Sequence, residues 1–170
     1  RVVAIDLTNP EPSAWRVIIP EAAGRDVLGA TKMINDRFVT QWMTDAHEVL
    51  KVYSVAGAFE RDIALPTVGA ISAFEGKRKD AEGFYGFSSF AYPGTVYRYD
   101  FATGKSTVFR QPKVDFSASA FETTQVFYPS KDGTKIPMFI TARKGVKKDG
   151  QNPTYLYGYG GFDVSLTPAF

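Results

Sequence analysis

The sequence predicts a mainly β chain built from repeated four-stranded units, and three observations lead there. Aromatic residues make up 15% of the 170 positions, with 14 Phe and 9 Tyr, types that favour half-buried pleated surfaces. Three prolines, Pro20, Pro66 and Pro112, recur at equal intervals (66 − 20 = 112 − 66 = 46). Each of them closes a segment that reads strand, tight turn, strand.

The first of these hairpins pairs Val3-Ala4-Ile5-Asp6-Leu7 with Trp15-Arg16-Val17-Ile18-Ile19. The second pairs Lys51-Val52-Tyr53-Ser54-Val55 with the run Glu60 to Leu65 across a turn at Gly57. The third pairs Val96 to Phe101 with Ser106 to Gln111 across Ala102-Thr103-Gly104-Lys105. Two further strands precede each of the last two hairpins. Val27 to Ile34 and Arg37 to Thr44 are joined by Asn35-Asp36, and Val68 to Phe74 and Gly83 to Phe90 by a charged loop around Lys77 to Asp80. Four short strands repeating at this interval match a β-propeller blade, whose period is about 40–50 residues. A β-sandwich with evenly spaced strands is the competing architecture, and the equal proline spacing favours the propeller. Propellers close with roughly 4–8 blades. Two blades and the tail of another would leave bare edges and inter-blade faces, so the chain is expected to be an internal piece of a longer protein. Its start at Arg1 instead of Met points the same way.

Charge and composition exclude several classes. Twenty basic and 18 acidic side chains give a net charge of +2, with no long block of one sign, which argues against nucleic acid or an anionic membrane as partner. There is no cysteine, so neither a disulfide framework nor a thiolate metal site can form. A reducing, cytoplasmic setting fits that composition. No cofactor is implied. The apolar run at Val2 to Ile5 is too short for a leader or a membrane span.

The character changes after Pro112. Residues 113–122 lack periodicity and read as a linker. Thr124 to Ser130 and Lys135 to Ala142 then flank Lys131-Asp132-Gly133-Thr134, a hairpin signal. A basic loop from Arg143 to Gln151 leads to a strand-like run, Asn152 to Tyr157, which opens into Gly158-Tyr159-Gly160-Gly161-Phe162. A strand running into a glycine-rich loop is where an α/β-hydrolase places half of its oxyanion hole. By itself the same pattern also fits a plain turn.

Together these residues resemble the prolyl oligopeptidase family. Val126 to Phe139 is similar to the family's first hydrolase-domain hairpin, and Tyr157 to Phe162 to its oxyanion-loop signature. Ser89-Phe90, Pro93-Gly94 and Tyr97 are similar to late blades of its propeller. The resemblance covers the whole chain. It implies the last blades of a seven-bladed propeller at 1–113 and the opening of an α/β-hydrolase domain at 114–170. It also implies a serine endopeptidase that cuts short peptides after proline, monomeric and confined to short substrates by its propeller. Tyr159 is implied as an oxyanion donor, and Phe162 as a wall of the proline-accepting pocket, where Gly161-Phe162 departs from the Ser-Tyr usual in the branch that cuts after basic residues.

The nucleophile, base and orienting acid of that chemistry are missing. No G-x-S-x-G occurs; Gly86-Phe87-Ser88-Ser89-Phe90 lacks the closing glycine. The single histidine, His47, is expected as a solvated residue in the turn Asp45-Ala46-His47-Glu48. This chain alone is therefore expected to be inactive. A macrocyclase of the same family and a non-catalytic propeller binding module are the alternatives.

Overall fold

The structure, a computed structural model, describes all 170 residues. Twelve strands run in chain order: β1 (Val2–Ala4), β2 (Arg16–Ile19), β3 (Val27–Ile34), β4 (Arg37–Thr44), β5 (His47–Ser54), β6 (Phe59–Ile63), β7 (Ala70–Glu75), β8 (Glu82–Ser89), β9 (Tyr92–Asp100), β10 (Lys105–Arg110), β11 (Phe121–Pro129) and β12 (Lys135–Arg143). They form two four-stranded antiparallel meanders, β3–β6 and β7–β10, flanked by the separate hairpins β1–β2 and β11–β12. The meanders are the two expected blades, blade I (β3–β6) and blade II (β7–β10). β1–β2 corresponds to the outer half of a preceding one, and each recurring proline follows an outer strand, β2, β6 or β10.

Local chemistry sets the turns. Asn35 and Asp36 both adopt positive φ (54° and 48°), the two-residue geometry whose twist suits a hairpin, in which Asn and Asp are tolerated. Gly57, at φ 87°, does more than turn. A Cβ there would stand 1.8 Å from the Ile18 carbonyl oxygen, so only glycine lets blade I approach the β1–β2 hairpin this closely.

One apolar core joins the blades. Blade I contributes Ile34, Val39, Leu50, Val52 and Ile63; blade II contributes Ile71 and an aromatic set of Phe74, Tyr85, Phe87, Tyr97, Tyr99 and Phe101. Strict alternation makes this possible: every second residue of β8 and β9 is buried, whereas β10 at the rim is almost wholly exposed. Tyr85 stacks between Phe74 (5.7 Å) and Tyr97 (5.2 Å), and its hydroxyl donates to Ser106 Oγ at 2.9 Å. Burial raises the Tyr85 hydroxyl above its ordinary range, with the Ser106 bond opposing part of the shift. Burial, then the contact with the Tyr92 hydroxyl, raises Tyr97 as well.

Polar groups fix the blades to each other at the margins of that core. The Glu48 carboxylate accepts from the Ile71 amide and from Gln41 Nε2, and the Glu48 amide donates to the Gly69 carbonyl at 3.0 Å. Asp36, at the tip of the β3–β4 turn, takes Lys79 Nζ and Arg78 Nε (2.6 Å), and these two bonds lower its pKa, Lys79 most. Arg61 of β6 donates to the Tyr99 hydroxyl at 2.8 Å and to the Phe101 carbonyl at 3.0 Å.

Three expectations change. His47 is not a solvated turn residue: Asp45 and Ala46 alone make the turn, both at positive φ, and half-buried His47 opens β5 with its Nδ1 buried and unpartnered. β11 starts at Phe121, inside the expected linker, because its pairing continues to Phe121↔Arg143. Asn152 to Tyr157 forms no strand, since these 170 residues hold no neighbouring strand to accept its backbone bonds.

Candidate functional site

The glycine-rich loop follows β12 by a basic turn and an extended stretch. Tyr155 and Tyr157 stack at 6.4 Å along that stretch. The chain then reverses through Gly160 (φ 65°), Phe162 (φ 54°) and Asp163 (φ 53°), closed by the Val164 amide donating to the Gly161 carbonyl at 3.1 Å. A phenylalanine at positive φ is uncommon, and such strain gathers at functional loops. Gly161 packs under Tyr159, where a Cβ would lie 3.7 Å from the ring edge.

The structure thus brings the two expected site residues into one reversing loop. Tyr159 is 53% exposed and Phe162 is 94% exposed, a presentation suited to contacting something outside the chain's own core. The structure brings no nucleophile–base pair to them. His47 lies at the head of a blade strand, and no set of three metal-ligating side chains is present. Two clefts lie elsewhere. One of about 840 Å³ is bordered by Arg25, Asp45, Phe127, Pro129 and Lys135, and one of about 490 Å³ by Thr67, Ser89, Tyr92, Phe121 and Thr123. Both lie between the blades and the β11–β12 hairpin. We regard neither as the chemical site, because neither touches the glycine-rich loop.

Sequence reasoning missed the residues of this seam. Gln125 Nε2 donates to the Asp45 carbonyl at 2.5 Å, and Phe139 meets Phe90 edge-to-face at 6.2 Å. Partners 80 and 49 positions apart carry no local signal by which they could be found.

Repeated antiparallel four-stranded blades around a shared core define a β-propeller protein. Residues 1–112 match the family model described as "Prolyl oligopeptidase, N-terminal beta-propeller domain". The whole chain is 40% identical to the prolyl endopeptidase of Elizabethkingia miricola and 49% identical to a prolyl oligopeptidase of Omphalotus olearius. It spans 24% and 23% of those proteins, about a quarter of the length of the curated relatives it matches. Among solved structures, prolyl oligopeptidase B from Galerina marginata bound to a 25mer macrocyclization substrate superposes with a TM-score of 0.84 at 38% identity, over 99% of this chain and 24% of that one. The chain belongs to the prolyl oligopeptidase family. No helix is long and apolar enough to cross a membrane.

Proposed function

We propose that residues 1–113 are the closing blades of a propeller and 114–170 the opening of the hydrolase domain of a serine endopeptidase. That enzyme hydrolyses short peptides on the carboxyl side of proline. The observation that carries this reading is the loop Tyr157 to Phe162, which holds the donor tyrosine and the pocket aromatic in one exposed reversal, within a chain of this family.

In the reaction, a serine oxygen adds to the carbonyl carbon of the proline residue itself, and a histidine takes the serine proton. The Tyr159 hydroxyl donates to the oxyanion of the tetrahedral intermediate. As the C–N bond breaks, the histidine returns the proton to the departing amine and leaves an acyl-enzyme, which water then resolves. Serine, aspartate and histidine come from sequence outside these 170 residues. Phe162 offers a flat apolar ring to the pyrrolidine and rejects charged side chains. The propeller admits short peptides only. We place the enzyme in the cytoplasm as a monomer that needs no metal or organic cofactor.

Tyr159→Phe in the intact enzyme tests this reading: kcat should fall by about 10²–10³ with little change in stability. Unchanged turnover would remove Tyr159 from the oxyanion hole. A coding sequence that continued beyond Phe170 without a G-x-S-x-G element would end the peptidase reading altogether. A second reading, macrocyclase activity, is supported by the likeness to a structure bound to a macrocyclization substrate. There the amino terminus of the same peptide, not water, attacks the acyl-enzyme. Product masses from a linear precursor separate the two, because a cyclic product is one water lighter than its hydrolysed counterpart.

A further inference from the structure

The tripeptide Lys-Asp-Gly occurs twice, at Lys131-Asp132-Gly133 and at Lys148-Asp149-Gly150. An aspartate followed by glycine can close on itself, because with no Cβ in the way the glycine nitrogen can reach the side-chain carboxyl carbon. The sequence gives the two sites the same reactivity; the fold separates them.

At the tip of β11–β12, the groups that such a closure needs are already engaged. The Gly133 amide donates to the Ser130 carbonyl at 3.0 Å, and the Ser130 amide to the Thr134 carbonyl at 2.8 Å. The Asp132 carboxylate accepts from the Ser130 hydroxyl and from the Thr134 amide at 3.0 Å. Those bonds, the Ser130 hydroxyl first, lower its pKa to about 2 from an ordinary 3.8 and so hold it ionised. An ionised carboxylate is a poor electrophile, since only the neutral acid has a hydroxyl to lose. The strands leaving the tip pair at once, Pro129 with Lys135, so opening it also strains the ladder.

Asp149 has none of this framework. It lies between Gly145 and Gly150, both at positive φ (77° and 80°), in a run from 143 to 160 that is exposed throughout. The Gly150 amide donates to no carbonyl of the chain, and the Asp149 carboxylate accepts one bond, from the Gln151 amide at 3.1 Å. Arg143, Lys144, Lys147, Lys148, Gln151 and Asn152 surround it, a composition that keeps a segment at the surface of an intact protein.

We propose that Asp149-Gly150 is a site of spontaneous isomerisation to isoaspartate, a modification from which Asp132-Gly133 is spared by its turn. The Gly150 nitrogen bonds to the Asp149 side-chain carboxyl carbon. The carboxyl hydroxyl leaves as water with the amide proton, and a five-membered imide remains. Water then adds to one of the two imide carbonyls. Opening at the side-chain carbonyl restores aspartate. Opening at the main-chain carbonyl breaks the original peptide bond and routes the backbone through the side chain. Nothing is oxidised or reduced, and the mass returns to its starting value. The proposal does not rest on the peptidase reading.

The test incubates the intact protein at neutral pH, digests it, and reads both Asp-Gly peptides by electron-transfer fragmentation, which tells the two linkages apart. Isoaspartate should accumulate at Asp149 at least about tenfold faster than at Asp132, because each unit of pKa removes a factor of ten from the neutral acid. In urea the two rates should converge, since lysine precedes both pairs. Ser130→Ala, which removes the hydroxyl donor, should speed the reaction at Asp132 and leave Asp149 unchanged. Equal rates in the folded protein, no isoaspartate at Asp149, or a gap that persists in urea would overturn the proposal, as would an Asp132 rate unmoved by Ser130→Ala. The folded and urea arms use the unaltered protein, so a folding defect in the variant leaves the comparison decided.

Discussion

Blade II and the stretch after β12 draw on similar residues and end in opposite states. Both are rich in tyrosine, phenylalanine and glycine. In blade II, Tyr85, Tyr97 and Tyr99 are all at most 7% exposed, whereas Tyr155, Leu156 and Phe162 are 87%, 82% and 94% exposed. Composition is therefore not what buries an aromatic ring. Blade II alternates along strands that each have a paired neighbour and packs against the aliphatic face of blade I. Within these 170 residues the later stretch has neither a paired strand nor an opposing layer. Apolar side chains become core only where the backbone beneath them is satisfied.

The largest expected effect probes the buried side of this contrast. Tyr85→Ala removes a ring stacked on two others and should lower stability by about 3–5 kcal/mol in urea unfolding. In the 170-residue chain by itself, the same change at Tyr155 should leave the midpoint within about 0.5 kcal/mol of its starting value, as surface substitutions do. Equal losses at both positions would mean that the exposed stretch is packed in solution. Next comes Tyr159→Phe, with its loss of about 10²–10³ in kcat and no loss of stability. A drop in stability there would reassign the tyrosine from chemistry to packing.

A smaller effect sharpens the account of the blade margins. Glu48→Ala strands the Ile71 amide and leaves Gln41 Nε2 with only the Ile71 carbonyl at 3.2 Å, which should cost about 1–3 kcal/mol. Amide exchange at Ile71 should quicken in parallel; an unchanged rate would show that another group had replaced the carboxylate.

The smallest effect lies at the tip of β11–β12. Asp132 accepts from the Ser130 hydroxyl and from the Thr134 amide at 3.0 Å, which holds its pKa at about 2 against an ordinary 3.8. Because the folded value is the lower one, the contribution is complete above about pH 4. It should fade as pH falls through the folded value. A carboxyl chemical-shift titration of Asp132 with a midpoint near the ordinary value would remove this clasp.

The blades were legible in the sequence because their determinants are local. Asn35-Asp36 announces a two-residue turn, alternation announces β8 and β9, and the proline interval announces the repeat. The turn after Thr44 was legible as Asp45 to Glu48, but its closing on Asp45-Ala46 alone was not, since alanine at φ 64° contradicts its own preference and is held there by the strands on either side. Asn152 to Tyr157 failed for a related reason: β-propensity describes what a segment does once a neighbour exists. The glycine-rich reversal at Gly158 to Phe162 was legible from its motif, but the positive φ of Phe162 and, away from that loop, the Gln125–Asp45 contact were not. The contact depends on how segments 80 positions apart come together.

The unequal makeup of the blade-to-blade core has one more consequence. Tandem repeats run the risk of pairing out of order while they fold. Here an aliphatic face meets an aromatic one, Glu48 has a specific amide to meet at Ile71, and Asp36 has two specific cations at Arg78 and Lys79. A blade docked beside the wrong neighbour would bury that carboxylate without its donors and set large rings against a surface shaped for other partners. The seam thus works as an address, which encodes the order of repeats whose strand plan alone would leave them interchangeable.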